Sequence, residues 1–124
     1  FFGLPNEWGD LPKGAFSTNG VPPKIKSDLI QWHVGRIEST CEEIPKLQNL
    51  DKNFIILFDF DLYSATKAAW DVIVNYLKPG DIIYFDEAYE SDENQMIEEI
   101  LEKQNFPLEV VGYTTMGIAF RVGH

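Results

Sequence analysis

The sequence predicts an α/β fold built on a mostly parallel sheet. Two continuous apolar runs, residues 54–59 (FIILFD) and 81–86 (DIIYFD), have the length and composition of strands that are covered on both faces. A segment with apolar residues at helical spacing follows each run, at residues 64–76 and 92–104. Strands that alternate with helices in this way are typical of a parallel sheet with right-handed crossovers.

The other predicted elements are shorter. Residues 29–34 (LIQWHV) are expected to form a strand, and residues 39–47 are expected to form a short helix. The closing segment, residues 108–122 (LEVVGYTTMGIAFRV), is predicted to contain two strands joined at residues 114–117. Because this link is short, the two strands are expected to pair in antiparallel fashion and to end the sheet as a hairpin.

The polar residues at the starts of the two long helices predict how each helix begins. Ser64 or Thr66 is expected to cap the first of them, since a hydroxyl can accept a hydrogen bond from a free backbone N–H there. Asp92 followed by Gln95 resembles a capping box at the start of the second.

Length and composition indicate a single domain with a substantial core. The chain has 124 residues, of which 44% are hydrophobic, and its glycine- and proline-rich residues 1–27 are expected to be an extended loop or arm.

A net charge of -10 repels phosphate backbones and argues against a nucleic-acid partner. No apolar run approaches the roughly 20 residues that span a bilayer, so no membrane partner is expected. One cysteine and no signal peptide favour a cytoplasmic location.

Acidic side chains follow both apolar runs at the point where each strand is expected to end. Asp59 and Asp61 follow the first run, and Asp86 and Glu87 follow the second. Ligands bind beyond the carboxyl ends of strands in open parallel sheets, and neighbouring strands lie about 4.8 Å apart. The four carboxylates could therefore converge on a divalent cation such as Mg²⁺. The cation would lower the pKa of a substrate hydroxyl, and one carboxylate would accept its proton.

A structural explanation of these acids is also open. Acids at strand ends often cap the next helix or face water, and Asp61 in particular is expected to be a cap or loop anchor. The acids that lie further along the chain are most simply explained as one solvated face: Glu87, Glu90, Asp92, Glu93, Glu98 and Glu99.

Several motifs together resemble one enzyme family. They are FxGLPxxW at the start, GRIEST, FDFDLYSATK, and LKPGDIIYFDE about twenty residues further on, followed by the closing hairpin. In this combination the chain resembles, over nearly its whole length, the macrocin O-methyltransferase-like enzymes of the class I superfamily that use S-adenosylmethionine. The resemblance implies a seven-stranded sheet in the order 3-2-1-4-5-7-6, of which this chain would contain a truncated part, strands three to seven.

The same resemblance implies roles for individual residues. Asp59 matches the acid that binds the metal and lies near the reacting hydroxyl, and Asp86 and Glu87 match the pair that completes the metal site. Glu87 departs from the commoner Asp or Asn at its position. Ile37 and Glu38 match the region that lies along the adenine of S-adenosylmethionine. The implied activity is methyl transfer to a hydroxyl of a small-molecule substrate.

The family pattern also contains elements that this chain lacks. The chain opens with Phe1, after the position of the family's glycine-rich cofactor loop and its ribose-binding acid. We therefore expect the isolated chain to bind S-adenosylmethionine poorly and to be inactive. The strand at residues 54–59 would then be an open sheet edge, which we expect to be covered by self-association or by residues 29–34. A homo-oligomer through this edge is expected.

Two other functions remain open on the sequence alone. The chain could be a non-catalytic α/β module for dimerisation or interaction, which the open edge and the missing cofactor loop favour. It could also be a metal-binding α/β domain of unrelated chemistry, for which the clustered acids are the only indication.

Overall fold

The computed structural model describes residues 1–43 and 51–124, and within them the sheet has four strands. These are β1 (Ile55–Phe58), β2 (Ile82–Phe85), β3 (Leu108–Tyr113) and β4 (Ile118–Val122). Their order across the sheet is β1-β2-β4-β3, with β1 and β2 parallel and the other pairs antiparallel. The α/β prediction and the closing hairpin are confirmed, and the order matches the last four strands, 4-5-7-6, of the methyltransferase pattern.

Each strand of the parallel pair buries one face. Phe58 aligns with Phe85 in the register, and their rings stack with centroids 4.9 Å apart in the core. The alternate side chains of β1 point the other way, so that Ile55 is 74% exposed and Leu57 is 64% exposed. The expected burial of both strand faces is therefore wrong for β1, whose other face is not covered by the part of the chain that the structure describes.

Three helices are described: α1 (Ile37–Thr40), α2 (Tyr63–Ile73) and α3 (Ser91–Lys103). A 3₁₀ turn over Val74–Tyr76 extends α2. The prediction of two long amphipathic helices is confirmed, because both bury an apolar stripe in the core formed with the sheet. The helix expected at residues 39–47 lies partly outside the described residues. The buried residues of α2 and α3 in this core are Ala69, Trp70, Ile73, Met96, Ile97 and Ile100.

The predicted caps of the two long helices are wrong. The N-cap position of α2 is Leu62, and the hydroxyl of Thr66 donates to the Leu62 carbonyl oxygen at 3.2 Å instead of capping a backbone N–H. The backbone N–H of Tyr63 donates to Asp92 Oδ2, 2.9 Å away on the neighbouring helix. Asp92 is therefore used across the helix pair, and α3 begins without a side-chain cap.

Residues 29–34 do not form the predicted strand. Leu29 is 95% exposed, and the ring of Trp32 packs edge-to-face on Phe1 with centroids 5.5 Å apart. In the described part of the sheet no strand lies outside β1, so this segment has no paired neighbour. An apolar pattern without a partner strand leaves its backbone groups unpaired, and the segment stays irregular.

A buried carboxylate joins the beginnings of β1 and β2. Asp81 is completely buried, and its Oδ1 accepts hydrogen bonds from the backbone N–H of Phe54 at 2.9 Å and from Asn53 at 3.0 Å. Its Oδ2 accepts from the backbone N–H of Lys78 at 2.8 Å. The turn before it needs a positive φ, which Gly80 supplies at +93°. Asp81 therefore fixes the end of the sheet opposite to the edge that carries the acids.

The first 27 residues contain no helix and only one isolated bridge, between Trp8 and Leu11. Leu4 is buried, and its N–H donates to the carbonyl oxygen of Ala15 at 3.0 Å. The segment is thus held by turns and local hydrogen bonds. In the described ranges no helix has both the length and the apolar character needed to cross a membrane.

Candidate functional site

The two acid-tipped strands stand side by side, as predicted. β1 and β2 run parallel with Phe58 opposite Phe85, so Asp59 and Asp86 occupy equivalent positions just beyond the same edge. The backbone N–H of Asp86 donates to the Phe58 carbonyl oxygen at 3.1 Å and extends the pairing to the strand ends. Strand pairing alone therefore brings these two acids together.

The electrostatics at this edge favour a proton acceptor at Asp59. The pKa of its carboxyl is raised, mainly by partial desolvation and further by the negative charges of Asp86 and Asp61. A carboxylate with a raised pKa binds a proton more readily, which is the property that a general base needs.

Glu87, just after β2, faces Asp61, which lies in the turn that follows β1. Its pKa is raised to about 7, chiefly by burial and then by the charge of Asp61 and a hydrogen bond to it. Asp61 reaches this place because its backbone adopts a left-handed conformation with φ +61°, which is uncommon outside glycine. The cap alternative for Asp61 is wrong, since the N-cap of α2 is Leu62; the Asp61 carboxyl hydrogen-bonds to Glu87 instead, as expected of a loop anchor.

Glu93 also belongs to the acidic site, although the sequence placed it on a solvated face. It is 1% exposed, and its Oε2 accepts a hydrogen bond from the backbone N–H of Glu87 at 2.9 Å. Its spacing from Met96, Ile97 and Ile100 puts it on the buried stripe of α3, and this was the signal that could have revealed it. The prediction of a uniformly solvated acidic face is thus wrong at Glu93.

The donor set suits a hard cation, but its members are not gathered into one coordination sphere. Among the described residues, Oε2 of Glu87 and Oε1 of Glu93 are buried without a close hydrogen-bond partner, and the Glu93 carboxylate also faces the backbone N–H of Phe60. Carboxylate oxygens of this kind are the ligands that Mg²⁺ and Ca²⁺ prefer. Within residues 1–43 and 51–124, no group of three or more His, Cys, Asp or Glu side chains is arranged to hold a metal ion. Asp59 and Asp86 are exposed, so their side chains can rotate toward the buried pair without loss of packing.

The two residues expected along the cofactor lie at the start of α1. Ile37 is partly buried and packs against the hydrophobic core, whereas Glu38 is exposed. The helix itself packs on α2, the helix that follows β1. Glu38 therefore keeps its carboxylate on the surface, while the side chain of Ile37 is used in packing against the core.

A concave pocket of about 560 Å³ lies beyond the ends of β1 and β2. One wall comes from the bridge of the first segment, with Trp8 and Leu11, and the other from Leu62, Glu90 and Asp92 at the starts of α2 and α3. The lining of this pocket combines three apolar side chains with four acids, Glu7, Asp10, Glu90 and Asp92, and does not include Asp59, Asp86 or Glu87. The first segment thus contributes to a cavity at the same edge of the sheet as the acids.

The fold is that of a methyltransferase. The chain is similar to the crystal structure of CalS11, a calicheamicin methyltransferase, with a TM-score of 0.57 and 26% identity over 71% of this chain and 35% of that one. It is also similar to the apo structure of CalS11, described as a TDP-rhamnose 3′-O-methyltransferase of calicheamicin biosynthesis, with a TM-score of 0.54 and 27% identity over 72% of this chain and 39% of that one. The chain thus spans little more than a third of these structures.

No protein-family model matches the sequence. No curated protein matches it either.

Proposed function

We propose that this chain carries the acceptor side of an O-methyltransferase that uses S-adenosylmethionine and belongs with the macrocin O-methyltransferase-like enzymes. The observation that carries this proposal is the pair of parallel strands that end side by side in Asp59 and Asp86, within a sheet of methyltransferase topology. S-Adenosylmethionine, when bound, supplies the methyl group. The acceptor is a small molecule with a free hydroxyl, and TDP-rhamnose is the first candidate because of the similarity to CalS11.

In the proposed reaction Asp59 is the general base. Its raised pKa favours acceptance of the hydroxyl proton at a carboxylate oxygen, and its exposed position leaves that oxygen open to a substrate. Asp86 lies beside it and keeps the local potential negative, which further supports proton uptake by Asp59. The acceptor hydroxyl would approach the exposed carboxylate of Asp59 from the solvent side of this edge.

Asp59, Asp86 and Glu87 are the residues that would hold a divalent cation, such as Mg²⁺, at this edge. The support for this is the choice of oxygen donors and the buried, unpartnered oxygen of Glu87. A bound cation would supply Lewis acidity that lowers the pKa of the acceptor hydroxyl. On the side of the methyl donor, Ile37 and Glu38 would lie along the adenine ring.

The experiment replaces Asp59 by Asn in the natural polypeptide that carries this sequence. Methyl transfer from radiolabelled S-adenosylmethionine to TDP-rhamnose is measured for the wild type, for Asp59→Asn and for Asp71→Asn, an exposed control on α2. We expect Asp59→Asn to lower turnover by about 10²–10⁴-fold, the usual contribution of a general base. Unchanged turnover would remove Asp59 from the mechanism. No transfer to any hydroxyl acceptor by the wild type would overturn the proposed activity.

A second candidate function is an α/β module for dimerisation. It is favoured by the position of β1 at the edge of the sheet, with Ile55 and Leu57 exposed on it. An unpaired edge strand with apolar side chains is a template for pairing with another chain. In this case the acids would serve only to close the turns that follow the strands.

A further inference from the structure

We draw no further inference here: the strongest candidate, the acid-lined pocket between the bridge of Trp8 with Leu11 and the starts of α2 and α3, rests on a cluster of acidic side chains, and none of the buried, unpartnered side-chain atoms in the described residues belongs to its lining to point to a ligand.

Discussion

Replacement of Asp81 by Ala should be one of the most destabilising single changes in this protein. The carboxylate is fully buried and accepts hydrogen bonds from the backbone N–H groups of Phe54 and Lys78, at 2.9 and 2.8 Å. A hydrogen bond to a charged group contributes about 1.5–3 kcal/mol, and a buried donor without an acceptor costs a similar amount. Two such losses give a decrease of about 3–5 kcal/mol in the free energy of unfolding, a large share of the roughly 5–15 kcal/mol of a typical domain.

The assay is urea unfolding followed by tryptophan fluorescence, because Trp70 is buried in the core and reports its loss. Asp71→Ala is the control: Asp71 forms an exposed ion pair with Lys67 at 2.8 Å, for which about 0.5 kcal/mol or less is expected. Asp81→Asn keeps one acceptor oxygen and should lose about half as much as Asp81→Ala. A loss below about 1 kcal/mol for Asp81→Ala would refute the assignment of Asp81 as the residue that joins the two strands.

Two further predictions concern the acidic site and the open edge. The pKa of Glu87 is raised to about 7 from an ordinary 4.5, so the folded state binds this proton more tightly than the unfolded state. The protonated Glu87 carboxyl stabilises the folded state fully at low pH, and this stabilisation is lost as the pH rises through about 7. The loss has an upper limit of about 3 kcal/mol, which solvent screening of the partly exposed carboxyl reduces. Urea unfolding with EDTA should therefore show a smaller loss of stability between roughly pH 5 and pH 8 in Glu87→Gln than in the wild type, and equal slopes would contradict the burial of this carboxyl. Leu57→Lys, on the exposed side of β1, should shift the mass measured by light scattering from dimer to monomer, whereas Ser64→Lys should not. A wild type that is already monomeric at high concentration would rule out association through β1.

The parallel strands and their acids could be predicted because each run carries its own signal. Residues 54–59 and 81–86 are apolar throughout and end on an acid, and parallel pairing then places Asp59 beside Asp86 whatever surrounds them. The order of the last four strands followed from the family resemblance and could not be derived from the apolar pattern, which does not encode which strands are neighbours.

The predictions that were wrong concern residues whose partners lie elsewhere in the fold. Asp92 has the sequence context of a capping residue, yet it binds the N–H of Tyr63 because α2 lies against α3. Glu93 was assigned to water by its charge, although helical spacing placed it among buried residues. Residues 29–34 have the composition of a strand, but pairing requires a neighbouring strand, and the composition of a segment does not specify one.

The hydrogen bond from Tyr63 to Asp92 links the loops that leave the two parallel strands. α2 begins right after the loop that carries Asp61, and α3 begins right after the loop that carries Glu87, so this bond between their first turns connects the two loops. The Tyr63 hydroxyl strengthens this connection by donating to Glu99 at 2.8 Å, two turns further along α3. The loops that carry Asp61 and Glu87 are therefore tied to each other at the first turns of the helices that follow them.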